Sequence, residues 1–439
     1  MPRPLLATDR ELARNSYYDA TARREQVFPS LAGDTRCDVA VVGGGLAGLS
    51  AAIDLRRRGF DVVLLEAREV GSGASGRNGG QAIHGLACDQ ETIERQLGLD
   101  AARQVWDMSI EALDLLRQDI REHGIDCDWR DGHLALATSA RKGRALQAWA
   151  QRTATVYRYP LQHIGPGEIG RWIASPIYDS GVHDPRSGHL HPLKYTLGLA
   201  RAAAAAGVHL HEQTPVTALT PGAMPTLRTA AGEVRARQVL LAGNVYQQGL
   251  APAIEARIMP VGTYIACSEA LEPQLADSLI PSRAAACDTN FVLDYFRTTN
   301  DQRLLYGGRV SYSTVTPADL SQTMRRRMVR TFPQLAGASV EYAWGGFVDI
   351  SMNRAPDFGR LPVAGAAASN VYYLQGFSGH GLALAGLAGR LVAEAMAGDA
   401  SRFDIFARLR HRAFPGGARL RMPALVLGMA WYQLRDMLG

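Results

Sequence analysis

The sequence predicts an α/β protein in which a parallel-sheet domain is interleaved with an antiparallel-sheet (α+β) domain. Three observations predict it. Residues 37–67 read as strand, glycine turn, helix, second strand and acid. At 439 residues the chain exceeds the ~250–300 at which a single core stops growing. Between Arg257 and Arg309 the pattern changes to short alternating segments: Thr263–Ala266, Asn290–Arg297 and Arg303–Gly308.

The first observation carries the most chemistry. Val39 to Val42 is a β-branched run suited to a strand buried on both faces. Gly43-Gly44-Gly45-Leu46-Ala47-Gly48 follows it directly. In a Rossmann-like unit the first glycine allows the tight turn, the second admits a pyrophosphate to the backbone, and the third lets the helix pack on its strand. The helix is expected over Leu46–Arg58, stopped by Gly59, and a second strand over Asp61–Leu65 ends at Glu66. An acid there can hold the ribose hydroxyls of an adenine nucleotide.

Composition excludes several classes. The chain is 47% hydrophobic and 20% charged with a formal charge of +5, and its basic residues are scattered arginines with only two lysines, Lys142 and Lys194. Nothing forms a nucleic-acid stripe. The five cysteines, Cys37, Cys88, Cys127, Cys267 and Cys287, contain no CxxC pair, which favours a reducing, cytoplasmic setting and argues against zinc or a disulfide framework. Residues 1–35 form a polar leader without an apolar signal run. Its Asn15-Ser16-Tyr17-Tyr18 is expected to pack on the surface, with a substrate-side arm as the alternative.

Further along, Gly71 to Gly80 is dense in glycine, and within it Arg77 offers a donor fork and Asn78 both donor and acceptor. A contact with a bound cofactor is expected there. Helices are expected over Glu91–Gly124, Arg141–Tyr157, Leu193–Ala206 and Gln322–Phe332. Strands are expected at Leu134–Ala137, Val208–His211, Thr214–Leu219, Gln238–Leu241 ahead of Gly243, and Val371–Leu374. His183, His189 and His191 do not match metal-ligand spacing, and no metal is expected. Tyr264, Tyr295 and Tyr306 suit either a substrate pocket or a sheet core. A second glycine turn, Gly376-Phe377-Ser378-Gly379-His380-Gly381, opens an apolar helix over Leu382–Met396, whose N-terminal dipole can stabilise negative charge. His380 either faces that charge or caps the turn. The tail Met422–Leu438 is too short to span a bilayer, and a helix docked on the protein or on a homodimer partner is expected.

The βαβ unit, Gly73-Ala74-Ser75-Gly76-Arg77-Asn78-Gly79-Gly80, Arg303–Gly308 and the closing Gly-Phe-Ser-Gly-His-Gly helix, in this order, resemble the D-amino-acid oxidase family of flavoproteins over about Cys37–Gly398. Ser16-Tyr17-Tyr18, Ser75–Gln81, Gly188–Leu193, Phe414-Pro415-Gly416-Gly417 and Leu434-Arg435-Asp436 are similar to the branch of that family that oxidises gamma-glutamylputrescine. The resemblance implies an amine oxidase with FAD: hydride passes from the amine-bearing carbon to the flavin, and the imine hydrolyses to an aldehyde and ammonia. Dioxygen, as acceptor, leaves hydrogen peroxide. A sarcosine or D-amino-acid oxidase, a dehydrogenase, and a flavin-binding protein without turnover are the alternatives.

The resemblance also implies site residues. Gly43, Gly45, Leu46, Ala47 and Gly48 would meet the pyrophosphate, Glu66 and Ala67 the adenosine, and Val216 the adenine. Ser75, Arg77, Asn78, Gly79 and Gly80 would meet the pyrophosphate and ring, with Gly243 beside them. Gly376, Gly379, His380, Gly381 and Leu382 would meet the pyrimidine side of the flavin. His380 and Trp344 are the candidate catalytic residues. Residues 36–90, 160–255 and 345–400 would form the FAD-binding domain, 91–159 and 256–344 the substrate domain, and 401–439 a helical tail. Ala383 replaces the lysine that holds a substrate carboxylate in the sarcosine-oxidase branch, and Gly345–Asn353 lacks the cysteine that attaches flavin there. Non-covalent FAD, and a substrate not anchored by an α-carboxylate, are therefore expected.

Overall fold

The computed structural model describes residues 9, 11–247, 249–290, 293–308, 319–362 and 369–415. The expected tail helix, Met422–Leu438, lies outside the described residues, as do Phe291 and Val292 of the expected strand Asn290–Arg297.

Two sheets carry the fold. The centre of the first is parallel, in the order Val371–Gln375, Glu233–Leu241, Thr35–Val42, Val62–Leu65 and His209–His211. Asp357–Arg360 adds an antiparallel edge. Thr35–Val42 lies between two cores, as a β-branched strand buried on both faces should. Val39 and Val41 pack with the helices Leu46–Arg57, Leu99–Glu122 and Gly381–Met396, whereas Ala40 and Val42 pack on the opposite face.

Backbone proximity sets the angle of the first helix. A Cβ on Gly48 would lie 2.0 Å from the carbonyl oxygen of Gly43, so only glycine lets the helix leave the strand so tightly. Helix Gly381–Met396 then crosses Leu46–Arg57 at Gly389, where a Cβ would meet Ala51 N at 2.6 Å.

The second sheet runs Val340–Ser351, Ile258–Ser268, Leu304–Gly308, Asp294–Thr298, Ala285–Asp288, Arg130–Ala137, Ser180–His189 and Gln81–Ala82. It is antiparallel except where Ala285–Asp288 pairs in parallel with Arg130–Ala137. The division between the domains also differs from expectation. Gln81–Ala82 and Ser180–His189, within ranges assigned to the first domain, belong to the second sheet, and strand Val340–Ser351 runs in it to its end. Conversely, Leu99–Glu122 packs its Val105, Met108, Leu113 and Leu116 in the core beside the parallel sheet. An amphipathic stripe says that a helix covers a sheet, but not which one.

Smaller departures have local causes. The helix expected over Glu91–Gly124 is two helices, Gln90–Leu97 and Leu99–Glu122, parted by Gly98 at φ +83°. Of Thr214–Leu219 only Ala218 and Leu219 are strand, within Ala218–Thr220, and Thr214 N donates to Glu66 O (2.8 Å) instead of entering a ladder. The leader is not a surface strap. Ser16 caps the short helix Tyr17–Thr21, and Tyr17 and Tyr18 are 5% and 0% exposed. Tyr18 stands edge-on to Trp344 at 5.1 Å and accepts from Arg297 Nη2 at 3.1 Å.

Gly48→Ala is expected to lower the melting temperature markedly, because its Cβ meets fixed backbone. Gly59→Ala, at φ +88° with open space around it, should cost only ~1 kcal/mol. Thermal unfolding of the two variants side by side checks the ordering.

Candidate active site

A cavity of about 930 Å³ lies between the two sheets. One wall is the start of the parallel sheet and its glycine turns. The opposite wall comes from the second sheet: Gly346 to Ile350 along one strand, and His133 and Ala135, alternating with a period of two, along another. Cys287 and Tyr295, paired across strands, continue that wall.

One part of the cavity wall comes from the first glycine turn and the acid that follows it. Gly43, Gly44, Gly45, Leu46, Ala47, Glu66, Ala67, Pro215 and Val216 line the cavity there. Glu66 sits at the end of its strand, where Oε2 accepts from Gly44 N (2.7 Å) and Oε1 from Arg68 N (2.9 Å). Burial pushes its carboxyl up, and those backbone N–H groups oppose the shift. Ser75 Oγ accepts from Leu46 N at 3.0 Å and stands where a Cβ on Gly45 would go, 2.7 Å away. The two glycine segments thus form one cradle.

Further in, Asn78 folds back on its own turn, its Oδ1 accepting from Gly80 N at 2.8 Å. Asn78, Gly79, Gly243, Gly379, His380, Gly381 and Leu382 all line the cavity. The second glycine turn is left-handed at Gly376, Ser378 and Gly379. It is held by Asp349, whose Oδ2 accepts from the N–H groups of Gly376 and Phe377. Burial pushes Asp349 up to about 6. His380 is pushed down to about 4, chiefly by burial, and its Nε2 donates to His84 O at 2.9 Å.

Several expected residues stand elsewhere. The Arg77 guanidinium is turned into the protein, paired with Asp9 and donating to the carbonyls of Ser72 and Gly345. Asp9 also holds Arg68 and the hydroxyl of Tyr246, so Arg77, which also lines the cavity, ties the leader to the loop through its guanidinium. Gly48, Gly80 and Gly376 shape the backbone without lining the cavity, Gly80 because it packs beneath Arg297. Trp344 is fully buried and donates from Nε1 to Arg77 O at 3.1 Å, which removes it from the catalytic candidates. Of Tyr264, Tyr295 and Tyr306 only Tyr295 lines the cavity. Its ring lies over Gly307 and against Gly79, where a Cβ would come within 2.0 and 2.4 Å of it. Tyr264 and Tyr306 belong to the second core, with the Tyr306 ring stacked near Phe296 and its hydroxyl bonded to Thr331 Oγ1.

Another part of the wall was not anticipated. His84, Trp106, His133, Trp149, Asp288, Asn290 and Arg354 line the cavity there. His84 Nδ1 lies 2.7 Å from Asp184 Oδ2, and its ring packs against Trp106, Trp149 and Tyr159. The carboxylate oxygens of Asp288 accept from the backbone and side-chain nitrogens of Asn290 at 3.0 and 2.9 Å. Burial, reinforced by Asp294, pushes Asp288 up to about 7. These residues come from six separate segments, and no local motif marks them. The only sequence signal was His84 following the glycine loop. His189 and His191 point into other contacts: His189 Nε2 to Arg283 O, and His191 capping the helix Pro192–Ala205.

Comparison with known proteins agrees with this architecture. Residues 38–395 match the family described as FAD dependent oxidoreductase (DAO). The chain is 41% identical over 426 residues to the gamma-glutamylputrescine oxidoreductase of Escherichia coli, covering 97% of this chain and 99% of that one. It is 37% identical to a probable oxidoreductase of Haemophilus influenzae over 96% of this chain and 97% of its relative. The crystal structure of glycine oxidase from Geobacillus kaustophilus superposes with a TM-score of 0.68 at 21% identity, covering 82% and 95% of the two chains.

Asp288 gives a test by pH. Its folded pKa is raised above the unfolded value of ~3.9, so its stabilising contribution is complete below that value and is lost as pH rises through about 7. Asp288→Asn should therefore flatten the fall of melting temperature between pH ~4 and ~7, measured by thermal unfolding across that range.

Proposed function

Since the chain belongs to the DAO family of FAD-dependent oxidoreductases, we propose that it oxidises a primary amine, with gamma-glutamylputrescine or a related mono-capped polyamine as substrate. The full-length likeness to the gamma-glutamylputrescine oxidoreductase of E. coli carries this reading. Ala383, 4% exposed at the start of helix Gly381–Met396, supports it, because that position offers no cation to an α-carboxylate.

The residues present fit FAD. Glu66 and Val216 would hold the adenosine, the turn Gly43–Ala47 with Ser75 the pyrophosphate, and Asn78, Gly79 and Gly379–Leu382 the ring. The Gly45–Ser75 approach is a cradle that any side chain at 45 would fill. FAD, when bound, supplies the acceptor for the hydride leaving the amine-bearing carbon. The chain's part is to aim that C–H bond and keep the nitrogen lone pair free. The resulting imine hydrolyses to an aldehyde and ammonia, and dioxygen is the proposed final acceptor, giving hydrogen peroxide. The cofactor is proposed to be non-covalent: burial pushes the cavity thiols Cys88 and Cys287 up to about 12, so neither is a ready thiolate. A cytoplasmic setting fits the cysteine usage. Among the described residues no helix is long and apolar enough to cross a membrane.

The structural likeness to glycine oxidase favours a second reading, an amino-acid or sarcosine-type oxidase. Anaerobic titration of the flavin-loaded protein with gamma-glutamylputrescine, putrescine, sarcosine and D-alanine separates the two. Bleaching by the first, with peroxide on admitting air, is the expected result. Bleaching by sarcosine or D-alanine instead would favour the second reading, and bleaching by none would point to a flavin-binding protein without turnover.

A further inference from the structure

The cavity wall carries His84, which is paired with a buried carboxylate, Asp184, that the family motifs do not account for. Asp184 is 3% exposed and all its neighbours donate to it. Oδ1 accepts from Tyr159 OH (2.8 Å) and Arg186 N (3.0 Å), and Oδ2 from Ser187 N (3.1 Å) and His84 Nδ1 (2.7 Å). Burial pushes this carboxyl up, but the His84 and Ser187 contacts and Tyr159 outweigh it and hold the group well below the usual carboxylate range. A carboxylate can only accept, so the bond to His84 requires the proton on Nδ1, and in the neutral imidazole the acceptor is then Nε2.

Nε2 has no partner among the described residues, whereas the ring itself is fixed. Trp149 lies nearly parallel to it at 5.9 Å, Trp106 is tilted at 5.3 Å, and His84 N is anchored to Ser187 Oγ at 3.1 Å. Nearby His133 is 4% exposed, lines the same cavity and has a buried Nε2 without a partner among the described residues. An unsatisfied nitrogen buried in a cavity wall marks where a polar ligand belongs. The other groups facing His84 do not compete for the role. The Tyr159 hydroxyl is spent on Asp184, and the Arg186 guanidinium reaches Asp114 at 2.9 Å. Burial leads in pushing His133 down to about 3 and His380 down to about 4, and Arg354 adds charge that opposes protonation of His380.

We propose that His84 Nε2 takes a proton from the substrate's ammonium group, with Asp184 positioning the imidazole and Trp106 and Trp149 flanking the cation. The N–H bond breaks, its electron pair stays on the amine nitrogen, and the proton forms an N–H bond on Nε2. The neutral amine then has the lone pair that a C=N bond needs as hydride leaves the neighbouring carbon. An imidazole suits this task because it changes charge near neutral pH, while tryptophan faces attract a cation until it is discharged. This inference rests on the amine-oxidase reading and adds the proton acceptor to it.

The test uses the flavin-loaded protein and the pH dependence of anaerobic flavin reduction by gamma-glutamylputrescine. His84→Gln is expected to lower the second-order rate at neutral pH by ~10²-fold or more. That deficit should shrink as pH approaches the amine's own pKa of ~10, with Asp184→Asn giving a smaller loss of the same shape. A merely structural role would give a loss independent of pH, which overturns the proposal. The nitrogen-15 histidine spectrum of the loaded wild type reads the same assignment without turnover. An unprotonated Nε2 on His84 is expected, and a proton found there would also overturn it. If His84→Gln loses flavin, Asp184→Asn and the spectrum decide. If no amine bleaches the wild type, the amine-oxidase reading fails first, and the spectrum still reports the tautomer.

Discussion

One buried carboxylate joins the two halves of this protein. Asp349 belongs to a strand of the second sheet, yet its Oδ2 binds the N–H groups of Gly376 and Phe377, in the turn that leaves the parallel sheet. Its backbone carbonyl accepts from Ser378 N at 3.0 Å. Those N–H groups would otherwise be unsatisfied in a left-handed turn, and an unmade buried hydrogen bond costs about 1–3 kcal/mol. The turn's geometry, the start of helix Gly381–Met396 and the width of the cavity therefore depend on the distance between the sheets.

Glycine and aromatic residues divide the remaining space between them. Gly307 and Gly79 leave room for the Tyr295 ring, which closes the cavity wall between a sheet strand and the cofactor loop. Gly389 lets two helices touch backbone to backbone behind the parallel sheet. The leader is drawn into the same logic. Asp9 is completely buried, and its charge is matched by Arg68 and Arg77. A buried carboxylate without those partners would be strongly destabilising, so the leader, the glycine loop and strand Val340–Ser351 are held as one unit.

Much of this was legible in the chain. Val39–Val42, the three glycines and Glu66 specify a βαβ unit through contacts between residues close in sequence, and the structure keeps each of them where that pattern puts it. The second glycine turn and its helix were legible for the same reason. The partner of Arg77 was not legible, because a guanidinium in a glycine loop suits a buried carboxylate as well as a phosphate, and Asp9 is 68 residues away. Trp344, a catalytic candidate from the sequence, is buried, and Tyr264 and Tyr306 take the core alternative the sequence left open, because an aromatic on a strand looks the same whether it faces a core or a cavity.

The sequence by itself determined the βαβ unit, since turn, helix and acid lie within about thirty residues and their arrangement follows from backbone geometry. Only the tertiary structure decided the surroundings of His84. His84, Asp184, Trp106, Trp149 and Asp288 are brought together by the parallel pairing of Ala285–Asp288 with Arg130–Ala137 and by helices that cover both sheets. No local periodicity encodes such a meeting. It follows from how two cores pack, and that is a property of the whole chain.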